Sequence, residues 1–179
     1  MYFQFLLEDK STEVLINHIM EKIKEKYPDK WIDFNIKSFK GIGHLSKRGS
    51  LQERKGSGLL NNLNLYLRGF DRSLERMQQA AIIVVVDNDK RDCIEFQNTL
   101  DNIAKESVRS TDCAICIAVK EMEAWLLGDE SAILRAYPNA KRKYLKSYKQ
   151  DGICDTWEVL ANMLYPGGLA ALKKKSQNS

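Results

Sequence analysis

The chain has 179 residues, 44% hydrophobic and 29% charged, with a net charge of +4. That length suits one compact domain with a small appendage, and the composition excludes disordered, collagenous and low-complexity classes. The longest uninterrupted apolar run, Ala80 to Val86, is far shorter than the roughly 20 residues a membrane helix needs. The opening MYFQFLLEDK has neither a basic n-region nor a cleavage site, so a cytoplasmic location is expected. Four cysteines in a chain of this size suggest no disulfide framework and fit a reducing compartment.

Tyr2 to Leu7 reads as a buried strand, because an aromatic and aliphatic run stops at Glu8-Asp9-Lys10. From Thr12, apolar Leu15, Ile16, Ile19, Met20 and Ile23 recur at helical spacing until Pro28. Trp31 to Phe39 alternates apolar and polar residues, as in a strand with one wetter face near a sheet edge. Lys40 to Gly58 is rich in glycine and basic residues and reads as a loop. Leu59 to Met77 returns to helical periodicity. Ala81 to Val86 is the purest β-branched run and predicts a central strand, ending in Asp87-Asn88-Asp89. A helix through Cys93 to Ile103 and a strand at Thr111 to Val119 follow. Helices are also predicted at Glu121 to Leu127, Glu130 to Tyr137 and Thr156 to Leu164, the last broken by Pro166-Gly167-Gly168, with a frayed polar end over Lys173 to Ser179.

Strands alternating with helices predict an α/β fold, with a mostly parallel sheet flanked by helices on both faces and a short helical C-terminal extension. The division is an α/β domain over 1–138 and a basic, partly helical extension over 139–179.

The acidic residues fall where this fold binds ligands. Glu8 ends the first strand, Asp87 and Asp89 end the third, and Glu121 and Glu123 follow the fourth. Carboxyl ends of parallel strands share one edge. Carboxylates gathered there repel one another unless a hard divalent cation with oxygen ligands neutralises them, so the pattern predicts a Mg²⁺ or Mn²⁺ site. The bland alternative is helix capping, open to Asp89 or Asp92 for the helix beginning near Cys93. Glu13 has two readings, a site role or a favourable place near a helix dipole. Of Glu121 and Glu123, two residues apart on a helix, one is expected to point inward, and Glu121 lies nearer the strand end.

Glu8-Asp9-Lys10-Ser11-Thr12-Glu13 after a hydrophobic strand, together with Val84 to Asp89 (VVVDND), resembles the two signatures of the TOPRIM superfamily of topoisomerases, primases and OLD-type nucleases. Asp9 stands where the family pattern has Gly. LYLRGF at Leu65 to Phe70 and AVKEMEAWLLGDESAI at Ala118 to Ile133 resemble an uncharacterised family of small bacterial TOPRIM-like proteins, often encoded beside AAA or ABC-type ATPases. The resemblance implies a nuclease in which Asp87 and Asp89 hold Mg²⁺. Glu8 then acts as general acid/base or ligates a second ion, with Glu121 as a further ligand. It also implies DNA or RNA as substrate and an ATPase partner, in anti-phage defence or DNA processing. The alternative it leaves open is an inactive TOPRIM-like assembly subunit of an ATPase complex, supported by Asp9 in the Gly position.

Lys10, Lys90 and Arg91 are candidate phosphate contacts. Lys47 and Arg48 in the glycine-rich loop, and Lys141, Arg142 and Lys143 ahead of Tyr144 and Tyr148, are candidate nucleic-acid surfaces, the tyrosines offering stacking faces. Trp125 reads as core or partner contact. Cys113 and Cys116 have metal-site spacing but lie in a strand, where they point to opposite faces. No nucleophile elbow accompanies His18 or His44, and Gly56-Ser57-Gly58 lacks the GK[ST] of a P-loop.

Overall fold

The computed structural model describes residues 1–43, 45 and 58–177. Four strands form one sheet: β1 (Tyr2–Leu7), β2 (Asp33–Ser38), β3 (Ala80–Asp87) and β4 (Asp112–Ala118), in the order β2-β1-β3-β4. β1 pairs in parallel with β2 and with β3, Leu7 lying beside Ser38 and Val85. Helices α1 (Lys10–Lys26), α2 (Leu63–Leu74) and α3 (Cys93–Ser107) connect successive strands, with a 3₁₀ turn at Leu59–Asn62 leading into α2. This is the expected α/β architecture with a parallel sheet.

The sheet alternation assigns each helix to a face. Phe5 and Leu7 of β1 and Val85 of β3 pack with Ile16 and Met20 of α1. Leu6, Ile82, Val84 and Val86 point the other way, onto Leu63, Leu67 and Leu74 of α2 and Phe96, Leu100 and Ala104 of α3. Both faces of β1 and β3 are therefore buried, which is why these strands read as continuous apolar runs. β2, at the edge, alternates exposed and half-buried residues.

Order β2-β1-β3 makes the chain reverse direction across the sheet on either side of β1. In open α/β sheets the crevice at such a reversal, beyond the carboxyl ends of the strands, is where ligands bind. Glu8 is the first residue past β1 at that edge. It is half-buried, and its carbonyl accepts a hydrogen bond from the Gly41 amide at 3.0 Å.

The chain divides into two compact units, Met1–Val86 with Asp92–Ile117, and Asp87–Arg91 with Ala118–Ser179. The second unit contains α4 (Glu123–Leu127), α5 (Glu130–Ala136), α6 (Lys143–Ser147), α7 (Thr156–Leu164) and α8 (Gly168–Gln177). Leu127, Ile133 and Met163 are its buried centre. The expected frayed end is instead helical through Gln177. Gly167 (φ 82°) and Gly168 (φ 70°) make the turn into α8, and the Asn162 side chain accepts from the Leu169 amide at 3.0 Å. Among the described residues no helix is long and apolar enough to cross a membrane.

Candidate functional site

β3 delivers Asp87 as its last residue, half-buried, and the chain then turns sharply. The turn is tied to the segment following β4: the Asn88 amide donates to the Ala118 carbonyl at 3.2 Å and the Asp89 amide to the Lys120 carbonyl at 2.9 Å. Asp89 and Lys120 both adopt left-handed backbone, φ 48° and 69°. Such conformations cost non-glycine residues roughly 1 kcal/mol or more each and persist where surrounding bonds over-determine them.

The capping alternative falls to Asp92, whose Oδ1 accepts from the Glu95 amide at 2.9 Å at the start of α3. Asp89 instead accepts from Arg91 Nη1 at 3.0 Å, a partly exposed pair. Asp89, Lys90, Arg91 and Glu121 line an open cleft of about 500 Å³ together with Cys154 and Asp155. The Cys154 thiol donates to the Asp89 carbonyl at 3.2 Å. Asp155 also has left-handed backbone, φ 62°. Neither Cys154 nor Asp155 carried a sequence signal, because both reach the cleft through the fold of the second unit.

Glu121 is engaged differently from the expectation for a ligand. Its Oε1 accepts from the Asp155 amide at 2.7 Å, while Oε2 accepts from the Thr156 amide and, at 2.7 Å, from the Thr156 hydroxyl. α7 has no cap from its own Asp155 side chain, so Glu121 supplies a negative cap from a distant part of the chain. Glu123 opens α4. Among the described residues no three His, Cys, Asp or Glu side chains come together as a metal-holding group.

In the first unit, Asp9 is the N-cap of α1: Oδ1 accepts from the Thr12 amide at 2.7 Å with extended backbone, φ −145°. That conformation is open to any residue, so Asp9 does not strain the turn after Glu8. Glu13 accepts from the Ser38 hydroxyl at the end of β2, and Lys10 is exposed in the first turn of α1.

Lys47 and Arg48 lie outside the described residues. Lys141, Arg142 and Lys143 are exposed, with Arg142 paired to Glu130 at 3.2 Å. Tyr144 and Tyr148 pack partly buried against the Leu127, Ile133 and Met163 cluster. Burial pushes the Tyr148 phenol above its ordinary pKa, and the charges of Asp151 and Glu121 act in the same direction. Trp125 is 41% exposed, which excludes the core reading.

Asp71, which the sequence did not single out, is a buried carboxylate. Burial would raise its pKa. The amides of Arg109 and Ser110 and the Ser110 hydroxyl, at 2.9 to 3.1 Å, instead hold it down to about 2. It ties α2 to the turn before β4. Cys113 is half-buried, and burial first, then the charges of Asp101 and Asp71, push its thiol up to about 11. No protein-family model matches the chain, and no curated protein or solved structure is significantly similar to it.

Proposed function

We propose that the chain is a divalent-cation-dependent nuclease-like protein acting on phosphodiester bonds. The observation that carries this reading is the Asp87–Asp89 turn at the carboxyl end of β3, held by Ala118 and Lys120, while Asp92 caps α3. Asp89 opens from it onto a cleft that also carries Lys90 and Arg91.

Asp87 and Asp89 supply two carboxylates, a donor set of the kind one hard ion takes. Mg²⁺ prefers oxygen, keeps several waters, and is commonly held by one or two carboxylates together with substrate phosphates, so a third carboxylate is not required. Asp87 and Asp89 would hold it. When bound, the ion would supply charge neutralisation at the phosphoryl oxygens. Lys90 and Arg91 would present positive charge to the phosphate, and Arg91 would exchange its contact with Asp89 for the substrate. Glu8, at the carboxyl end of β1, takes the general acid/base role that the TOPRIM resemblance gives it. The same resemblance is the ground for proposing an ATPase partner and a role in anti-phage defence or DNA processing.

A second reading, a catalytically inactive assembly subunit, is favoured by Glu121, whose carboxylate is committed to α7. The experiment is incubation of the purified full chain with plasmid, single-stranded DNA and RNA, with Mg²⁺, with Mn²⁺ and with chelator. Wild type is compared with Asp87→Ala and Glu8→Ala. The nuclease reading expects metal-dependent cleavage that falls about a hundredfold or more in each variant. Equal cleavage by all three proteins sinks it, and no Mn²⁺ binding by the intact protein in calorimetry favours the assembly role.

A further inference from the structure

Between the two acidic residues of the turn lies Asn88, only 2% exposed. A buried amide side chain is stable only when its donors and acceptors are matched. Asn88 Nδ2 donates to the Arg91 carbonyl at 2.9 Å, and Oδ1 accepts from the Lys120 amide. Its backbone is committed as well: the amide donates to Ala118 at 3.2 Å, and the carbonyl accepts from the Arg91 amide at 2.8 Å. The Lys120 carbonyl in turn accepts from the Asp89 amide at 2.9 Å. Asn88 and Lys120 therefore close a ring of hydrogen bonds around Asp89, and both Asp89 and Lys120 are held in left-handed backbone within it.

The direction of a carboxylate follows the backbone that carries it. Asp89 in the left-handed region projects its side chain differently from an extended residue, so whatever fixes that conformation fixes where its oxygens lie. The Lys120 carbonyl and the Cys154 thiol hold the Asp89 backbone directly, and the Asn88 side chain holds Lys120 and Arg91 on either side of it. Arg91, the partner of Asp89, is also set by Asn88, through both its amide and its carbonyl.

We propose that Asn88 is the positioning residue of this site: its side chain holds the turn on which Asp87 and Asp89 are carried and thereby sets the affinity of the pair for a divalent cation. The inference rests on the metal-dependent reading above. A role confined to packing would lower the melting temperature of a variant and leave its cation affinity where it was.

The test is calorimetric titration of the full chain with Mn²⁺, together with amide hydrogen exchange, for wild type, Asn88→Ala, Asn88→Ser and Asp87→Ala. Losing a partner that orients a metal ligand typically weakens affinity about 10- to 100-fold. Asn88→Ala is expected to fall in that range and to speed exchange at the Asp89 and Lys120 amides, with α5 exchange unchanged. Asn88→Ser, whose short hydroxyl cannot span both partners, is expected to do the same, and decides the matter if the alanine variant does not fold. Binding by wild type and equal binding by a folded Asn88 variant overturns the inference and leaves the reading of the site intact. No Mn²⁺ binding by wild type overturns that reading, and this inference with it.

Discussion

Glu121 caps the helix that Thr156 begins, although 35 residues separate them: one carboxylate oxygen takes both the amide and the hydroxyl of Thr156. Thr156 is fully buried and Glu121 half-buried. Removing the carboxylate leaves the Asp155 and Thr156 amides and the Thr156 hydroxyl without an acceptor. Glu121→Ala is expected to destabilise the second unit by about 2 to 3 kcal/mol, the scale of lost caps and charge-assisted bonds. Urea unfolding, with hydrogen exchange across α7, measures it. Unchanged stability combined with lost Mn²⁺ binding would return Glu121 to the role of metal ligand.

Asp71 makes stability pH-dependent at the acid end. Its folded pKa, about 2, lies below the ordinary 3.8, so its contribution is fully present above about pH 4 and is lost as pH falls toward 2. The loss amounts to about 2 kcal/mol at most. Asp71→Asn is expected to be less stable near neutral pH and to show a flatter decline between pH 4 and 2, read from denaturant midpoints at each pH.

Gly43 and Gly58 bring two backbone segments together, where the Leu60 amide donates to the Ile42 carbonyl at 2.7 Å. A Cβ on Gly58 would lie 2.3 Å from the Gly43 Cα, and one on Gly43 would meet the Asn61 side chain at 2.0 Å. Gly43 also has φ 72°. Either alanine substitution is expected to cost about 1 to 3 kcal/mol. The double variant is expected to cost less than their sum, because once one clash has parted the segments the second finds room. Additive losses in thermal unfolding would mean that the two positions do not share a contact.

Lys141, Arg142 and Lys143 are exposed at the start of α6 and, in the nuclease reading, contact phosphates. Each lost contact should flatten the slope of log K against log salt by about 0.9 on duplex DNA. The triple alanine variant is therefore expected to give a visibly shallower plot with unchanged Mn²⁺ affinity. An identical slope would assign this run to a solvated or protein-facing surface.

Cys113 and Cys116 differ in access as well as direction, the first half-buried and the second exposed. Since the Cys113 thiol ionises only near pH 11, it is expected to alkylate more slowly than Cys116 at pH 8. Mass spectrometry of timed iodoacetamide reactions distinguishes them, and equal rates would contradict the burial of Cys113.

The alternation of strands and helices was legible in the sequence because it is written locally. Tyr2–Leu7 and Ala80–Asp87 are apolar on both faces, as central strands of a parallel sheet must be, and Asp33–Ser38 alternates, as an edge strand does. The acidic turn at Asp87 to Asp89 was legible for the same reason, since a strand that stops at charged residues marks its own carboxyl end. What the sequence could not supply were partnerships between distant residues. Spacing alone leaves open which Asp caps α3. It gives no sign that Glu121 serves an amide at Thr156, that Asp71 serves amides at Arg109 and Ser110, or that Tyr144 and Tyr148 turn onto Leu127, Ile133 and Met163. A carboxylate has the same identity whether it holds an ion, caps a helix or pairs with an arginine. Its role is set by which donors the folded backbone brings within about 3 Å, and only the tertiary structure decides that.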